Sequence, residues 1–247
     1  MISETYLFYL LIPIVAFLYS TVGHGGASGY LGLMAIFSFP SVMMKQTALL
    51  LNLFVAGIAF YQYFKAGYFN KSLFLCFALG SVPAAFFGGL WSLDSWLYNK
   101  FLGLILFFAI TRMLFKRETS DLQTKKIPTL LALLIGVIIG LFSGLIGIGG
   151  GIILTPVILL FHWGNMKEAA AVSALFIWVN SASGLLGQLV TGINLNTNSI
   201  VLVSLAFAGG FLGSYYGSQK WNNRRLEYFL ALVLASAGTV SYTHLTL

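Results

Sequence analysis

Apolar residues along this chain fall into runs at about 6–18, 30–39, 47–64, 72–91 and 100–115, then again at about 128–142, 152–161, 169–190, 199–218 and 226–239. In each group two short runs flank a glycine-rich break, and three longer runs follow. A helix needs about 20 apolar residues to cross a ~30 Å hydrocarbon core; the long runs approach that length and the short ones, at about 10–14, do not. The pattern predicts an all-α polytopic membrane protein. Two units are expected, each a re-entrant or broken helical hairpin followed by three transmembrane helices.

The two groups match each other segment by segment. "YSTVGHGGASGYLGLMAIF" faces "FSGLIGIGGGIILTPVILLF", "MKQTALLLN" faces "MKEAAAVSALFIWVN", and "YQYFKAGY" faces "LGQLVTGI". This is an internal repeat, with copies of roughly 110 residues. The N-terminal repeat is placed at 1–115, a basic cytoplasmic linker at 116–127 and the C-terminal repeat at 128–239. The last residues, "VSYTHLTL" (240–247), read like a translated sequencing adapter and are expected to be a non-native tail. His244 is set aside on that ground. The start, MISETYLFYL, has no basic n-region, so no cleavable signal peptide is expected.

Composition sharpens this picture. The 247 residues are 59% hydrophobic and only 8% charged, against about 25% charged in soluble domains. The acids Glu4, Asp94, Glu118, Asp121, Glu168 and Glu227 all lie at the ends of apolar runs or between them. The net charge of +7 therefore sits in loops, where lysine and arginine set membrane orientation, and implies no nucleic-acid partner. The partners expected are membrane lipid and a small solute, in the cell inner (plasma) membrane. The lone Cys76 excludes an internal disulfide and a multi-cysteine metal site.

Loop charge also orients the copies. Arg112, Lys116, Arg117, Lys125 and Lys126 put the central linker inside. If each broken segment is a hairpin, "TGINLNTN" lies outside and "QKWNNRR" inside, as the positive-inside rule requires; a single broken span reverses both. The first copy then has its N-terminus outside and Lys65 and Lys71 inside, with Lys45 an exception. A hairpin plus three spans is an odd number of crossings, so the copies run in opposite senses. Inverted repeats of this kind place a binding site near the midplane.

Irregular backbone at membrane depth survives only where protein or a lined cavity satisfies it. The two breaks, "GHGGAS" from Gly23 and "GLIGIGGG" from Gly144, each precede a new helix whose first N–H groups lack intrahelical partners. Such N-termini attract anions without any cationic side chain, and neither break contains lysine or arginine. The candidate substrate-binding set is Gly23, His24, Gly25, Gly26 and Ser28 in the first copy, and Gly147, Gly149, Gly150, Gly151 and Thr155 in the second. Gly88, Gly89, Gly209, Gly210, Gly213 and Gly217 are read as helix-packing glycines. The superficial likeness of "GLIGIGGG" to a dinucleotide fingerprint fails, because no strand precedes it and no acid follows about 20 residues on.

"TVGHGGASGYLGLMAIF", "FSGLIGIGGGIILTPVILLF" and "AAAVSALFIWVNSASGLLGQLVTG" resemble the sulfite exporter TauE/SafE family of membrane permeases. The resemblance runs from about residue 7 to 239. It implies transport of small anions, often sulfur-containing, such as sulfite or organosulfonates, and leaves substrate and direction open. "GHGGAS" against "GIGGG" is the main departure between the copies.

Other polar residues in the spans complete the set. His24 is the one imidazole at a tip, and its pKa of about 6.5 in water suits a proton-coupling role, with protons as coupling ion. A satisfied structural histidine is the alternative. Asn52 and Asn180 recur on the span after each hairpin, with Gln62 and Gln188 further along the same faces. Amides donate to an oxyanion while remaining neutral, and interhelical glue is their alternative role. Ser20 and Ser143 flank the tips. Tyrosine and tryptophan near span ends are expected in the interfacial aromatic belt. No nucleophile cluster, acid pair, metal set, cofactor motif or P-loop accompanies these residues. The expectation is a secondary transporter of small anions working by alternating access, with a passive small-anion channel as the alternative. Oligomeric state is not legible.

Overall fold

The computed structural model describes residues 2–37, 39–91, 127–192 and 199–226, with residues 93, 94, 97, 100, 125, 228 and 229 besides. All regular structure among them is helical. In chain order the helices are α1 (Ile2–Ser20), α2 (Ala27–Ile36), α3 (Ser41–Lys65), α4 (Lys71–Leu90), α5 (Thr129–Ile146), α6 (Gly151–Leu160), α7 (Met166–Val190) and α8 (Ser199–Tyr215). α8 runs on into one π-helical turn, Tyr216–Lys220. Five of these helices are long and apolar enough to cross a membrane. The protein is a multi-pass membrane protein. The runs expected at 100–115 and 226–239, the linker and the tail lie almost wholly outside the described residues.

Each glycine break folds the chain back on itself. Phe8 at the start of α1 packs its ring 5.3 Å from Phe37 and 5.1 Å from Phe39, just beyond α2. Nearer the turn, Ser28 on α2 donates to the Tyr19 hydroxyl on α1 at 3.0 Å. In the second half, Gly150 sits against Ile139 of α5, and Ile139 shares a buried cluster with Leu154 and Ile158 of α6. The limbs are unequal, which the sequence pattern did not anticipate. α1 has 19 residues and α5 has 18, about 27–29 Å at 1.5 Å per residue. α2 and α6 have ten each, about 15 Å.

The reason α5 outruns its expected end at 142 lies in Gly144. It is the third glycine of a row with Gly136 and Gly140, and a methyl on these would be driven into the carbonyls of Phe77, Ser81 and Ala85 on α4. Gly144 is thus a packing glycine within the helix, and the turn begins only at Gly147. α4 answers with Gly80 and Gly88, which lie against the carbonyls of Leu133 and Leu141. Numbers rise together on both sides, so α4 and α5 run parallel. Gly209, Gly213 and Gly217 do the same against the carbonyls of Pro13, Phe17 and Thr21, so α8 runs parallel to α1. Lipid supplies no hydrophobic drive between helices, and such close backbone approach is what brings them together.

α3 and α7 cross in the opposite sense. Asn52 pairs with Ser181, Gly57 meets Trp178, and Tyr63 clusters with Ala170 and Ala171. Numbers fall on one helix as they rise on the other, so these two 25-residue helices are antiparallel. Their ends are held alike. Lys45 is buried and donates to the carbonyls of Trp91 at 3.0 Å and Gly88 at 3.5 Å, at the C-terminal end of α4. Lys167 donates to the Ser218 carbonyl at 3.3 Å, in the π-helical turn that ends α8, and to the Tyr68 hydroxyl at 3.1 Å. Both cations neutralise the negative end of a helix dipole.

Candidate functional site

The turns themselves demand glycine. Gly23 and Gly26 in the first tip and Gly147, Gly149 and Gly150 in the second have φ between 72° and 92°. A side chain there costs an L-residue about 1–2 kcal/mol. Gly26 and Gly150 are the N-caps of α2 and α6, and neither cap has a side-chain hydrogen bond. The opening N–H groups of both helices are therefore uncapped by side chains, and each carries the positive end of its helix dipole.

Gly25 and Gly151 are needed for space. A methyl on Gly25 would overlap Asn52 Oδ1, and one on Gly151 would overlap Ile177 Cδ1. A methyl on Gly149 would lie 2.6 Å from Asn52 Nδ2, 2.7 Å from Ile177 Cγ2 and 3.2 Å from Ser181 Oγ. One amide, that of Asn52, thus lies between the two tips, its oxygen over Gly25 and its nitrogen over Gly149. Asn52 and Ile177 each stand one residue from the middle of a 25-residue helix. The tips meet halfway along both crossing helices, and every residue from Tyr19 to Ser28 and from Ser143 to Ile152 is buried.

His24 sits between these glycines, 2% exposed. Its Nδ1 is 3.0 Å from the Val22 carbonyl, and its Cδ2 would lie 3.5 Å from a methyl on Gly151, the first residue of α6. Its Nε2 has no partner. The fully buried Tyr30 hydroxyl also lacks one and lies over Gly26, 2.7 Å from where a methyl would be.

The remaining sequence-predicted residues are buried too, and their partners lie elsewhere. Ser28 donates to Tyr19, and Thr155 donates to Ser173 at 2.7 Å. Asn180 donates to its own helix at Phe176 O, 2.8 Å away, with its Oδ1 unpaired. Gln188 is 1% exposed with both amide atoms unpaired. Gln62 lies ten residues beyond Asn52 on α3, about 15 Å along the axis. Ser20 bonds back to Phe17 O, and the Ser143 hydroxyl is unpaired.

Three tip residues escaped sequence reasoning: Tyr30, Ile177 and Ser181. Tyrosines near span ends were expected in the aromatic belt, but Tyr30 and Tyr63 are fully buried. The Tyr63 hydroxyl donates to the Thr21 carbonyl at the end of α1. The signal available for Tyr30 was its place four residues after Gly26, in the first turn of the new helix.

No solved structure matches this chain. The probable membrane transporter protein y4hK of Sinorhizobium fredii is 35% identical over 230 residues, covering 91% of this chain and 93% of that one. The probable membrane transporter protein YunE of Bacillus subtilis is 26% identical over 124 residues, half of this chain and 45% of that one. A family model described as Sulfite exporter TauE/SafE matches residues 8–240, across both glycine tips and, from Phe8 in α1 onward, the described helices. A multi-pass helical protein with this match belongs to the sulfite exporter TauE/SafE family of membrane transporters.

Proposed function

We propose that the chain is a secondary transporter of small anions, sulfur-containing ones such as sulfite or organosulfonates, working by alternating access between two inverted repeats. The observation that carries this is the meeting of two uncapped helix N-termini around one neutral amide, halfway along the crossing pair α3 and α7. Such a site attracts an oxyanion by backbone N–H groups and dipoles alone. Lys45 lies against Gly147 but spends its Nζ on the carbonyls of Gly88 and Trp91, so the described residues bring no free cation to the site that would keep the anion from leaving again.

The contacts between elements support the inverted arrangement. Exchanging the halves turns the pair α1–α8 into α5–α4 and the pair α3–α8 into α7–α4, and leaves α3–α7 unchanged. Elements that correspond, α3 and α7, run antiparallel, as an axis in the membrane plane requires. The burial of both tips fits an occluded state between two open ones. His24 at the first tip is the candidate for proton coupling. The sequence shows no P-loop, so on this reading the driving force is an ion or substrate gradient or comes from a partner.

The test is thermal unfolding of the detergent-purified protein with sulfite, thiosulfate, sulfoacetate, taurine, acetate and chloride. A ligand at 100 times its Kd adds about 2.7 kcal/mol of stability. Stabilisation confined to sulfur oxyanions is expected, followed by saturable exchange in proteoliposomes. Flat curves from folded protein would refute the anion site, and conductance without saturation would replace the transporter by a channel.

A further inference from the structure

The tips have more unpaired hydrogen-bonding capacity than an aprotic anion can use. His24 Nε2, Asn52 Oδ1 and the Tyr30 hydroxyl are buried without partners. Buried polar groups are ordinarily satisfied, so an orphan set marks where something else is meant to bind. Its chemistry is readable. Two backbone carbonyls face the ring, those of Val22 and Gly151, and only Val22 lies within hydrogen-bonding distance, 3.0 Å from Nδ1, which assigns the ring proton to Nδ1. Nε2 of the neutral ring is then a bare lone pair. The ring edge that bears it faces Gly151, where α6 opens. Asn52 Oδ1 is likewise an acceptor. A fully deprotonated oxyanion at the tips satisfies the N–H groups but sets its own lone pairs against these.

We infer that the tips take an oxyanion together with one acidic proton. Its bare oxygens sit on the N–H groups that open α2 and α6, and its O–H donates to His24 Nε2. This rests on the anion site proposed above and narrows its occupants: hydrogensulfite carries the proton, whereas organosulfonates and thiosulfate lack it and should bind more weakly. It also makes His24 a specificity-determining residue: a site built to receive a hydroxyl discriminates strongly against an analogue that lacks it. No proton is transferred in this step. The ligand enters and leaves as the same monoanion, carrying its proton with it.

The discriminating probes are the methylphosphonate monoanion and methanesulfonate. Both are tetrahedral, carry one methyl, three oxygens and one negative charge, and differ by a single O–H. Each is titrated into the purified full chain at one mildly acidic pH and one ionic strength, with the midpoint of thermal stabilisation as readout. Methylphosphonate is expected to bind at least tenfold more tightly. Equal affinities overturn the inference and leave the anion site standing. If neither anion nor hydrogensulfite stabilises the protein, the anion site falls and the inference with it. His24→Phe should equalise the two probes, whereas His24→Gln, whose amide oxygen restores an acceptor, should keep the preference. A preference that survives His24→Phe removes Nε2 as its cause. The wild-type comparison decides the main point even if the variants fail to fold.

Discussion

The contact between the first tip and Asn52 can be tested by a double-mutant cycle. Gly25 needs no left-handed backbone, so alanine there is opposed only by space. Its methyl would overlap Asn52 Oδ1 and lie 2.8 Å from Asn52 Cγ and 3.1 Å from Ile177 Cγ2. Overpacking of this kind costs about 1–3 kcal/mol. Asn52→Ala alone removes the 3.2 Å bond to Ser181 Oγ and leaves a small void, a loss of about 1–3 kcal/mol. Combined, the two changes relieve each other, because truncating Asn52 removes the two nearest atoms, and the third, the Ile177 methyl, stands at 3.1 Å. The coupling should be about 1–2 kcal/mol in favour of the double variant. Unfolding of the four proteins in one detergent measures it. Gly67→Ala, whose methyl meets nothing within 4 Å, serves as a control that should add independently with Asn52→Ala. Additivity within about 0.5 kcal/mol at Gly25 as well would refute the placement of Asn52 between the tips.

Other outcomes follow from the same contacts. If His24 itself carries the coupled proton, rather than staying a fixed acceptor, His24→Gln should abolish the pH dependence of transport; an unchanged profile in proteoliposomes removes the imidazole from coupling and leaves the proton with the ligand. Tyr63→Phe strips the hydroxyl from the buried Thr21 carbonyl and should cost about 1–3 kcal/mol in unfolding measurements. Lys45→Met leaves the carbonyls at the end of α4 without their cation, and should destabilise more than Lys167→Met, because Lys45 is the more deeply buried of the two. Gly144→Ala drives a methyl into the Ala85 backbone and should prevent stable assembly, whereas Gly67→Ala has open space and should lose only the ~1–2 kcal/mol of a left-handed alanine. Expression and size-exclusion profiles of the pair would separate these two kinds of glycine.

Much of the fold was legible because membrane helices advertise themselves by length and composition. α3, α4, α7 and α8 stand where long apolar runs predicted them, and α2 and α6 where the short ones did. Periodicity could not fix the ends of α1 and α5. Glycine reads as a helix breaker in sequence, yet Gly144 stays helical because a neighbouring backbone occupies its face, and that neighbour comes from α4, far off in the chain. The same blindness applied at the site. Gly25, Gly149 and Asn52 were named from the sequence, but nothing there could tell that one amide would touch both tips. Asn180, chosen by the same rule as Asn52, turned back to its own helix instead. The two asparagines sit at different heights on corresponding helices, about one turn apart, and a turn is enough to take a side chain out of a contact.

That offset belongs to a wider asymmetry. Aligning Gly23, Gly25 and Gly26 with Gly147, Gly149 and Gly150 sets His24 opposite Ile148, Ser28 opposite Ile152 and Tyr30 opposite Leu154. Aligning the two 25-residue helices sets Asn52 opposite Ile177. The backbone features are duplicated: left-handed N-caps, uncapped helix starts, glycine faces against a parallel helix, a lysine on the end of the fourth helix. The polar side chains at the tips come mainly from the first copy, and their counterparts are apolar. In the proposed transporter, duplicated backbone gives two helix ends of equal electrostatic strength, so an anion between them would be held without preference for either half, and unduplicated side chains would decide which ligand is held and which way round. In an alternating-access cycle the first property keeps two mirrored states close in energy, and the second lets both states recognise the same molecule, provided the first tip and α3 keep their contact through Asn52.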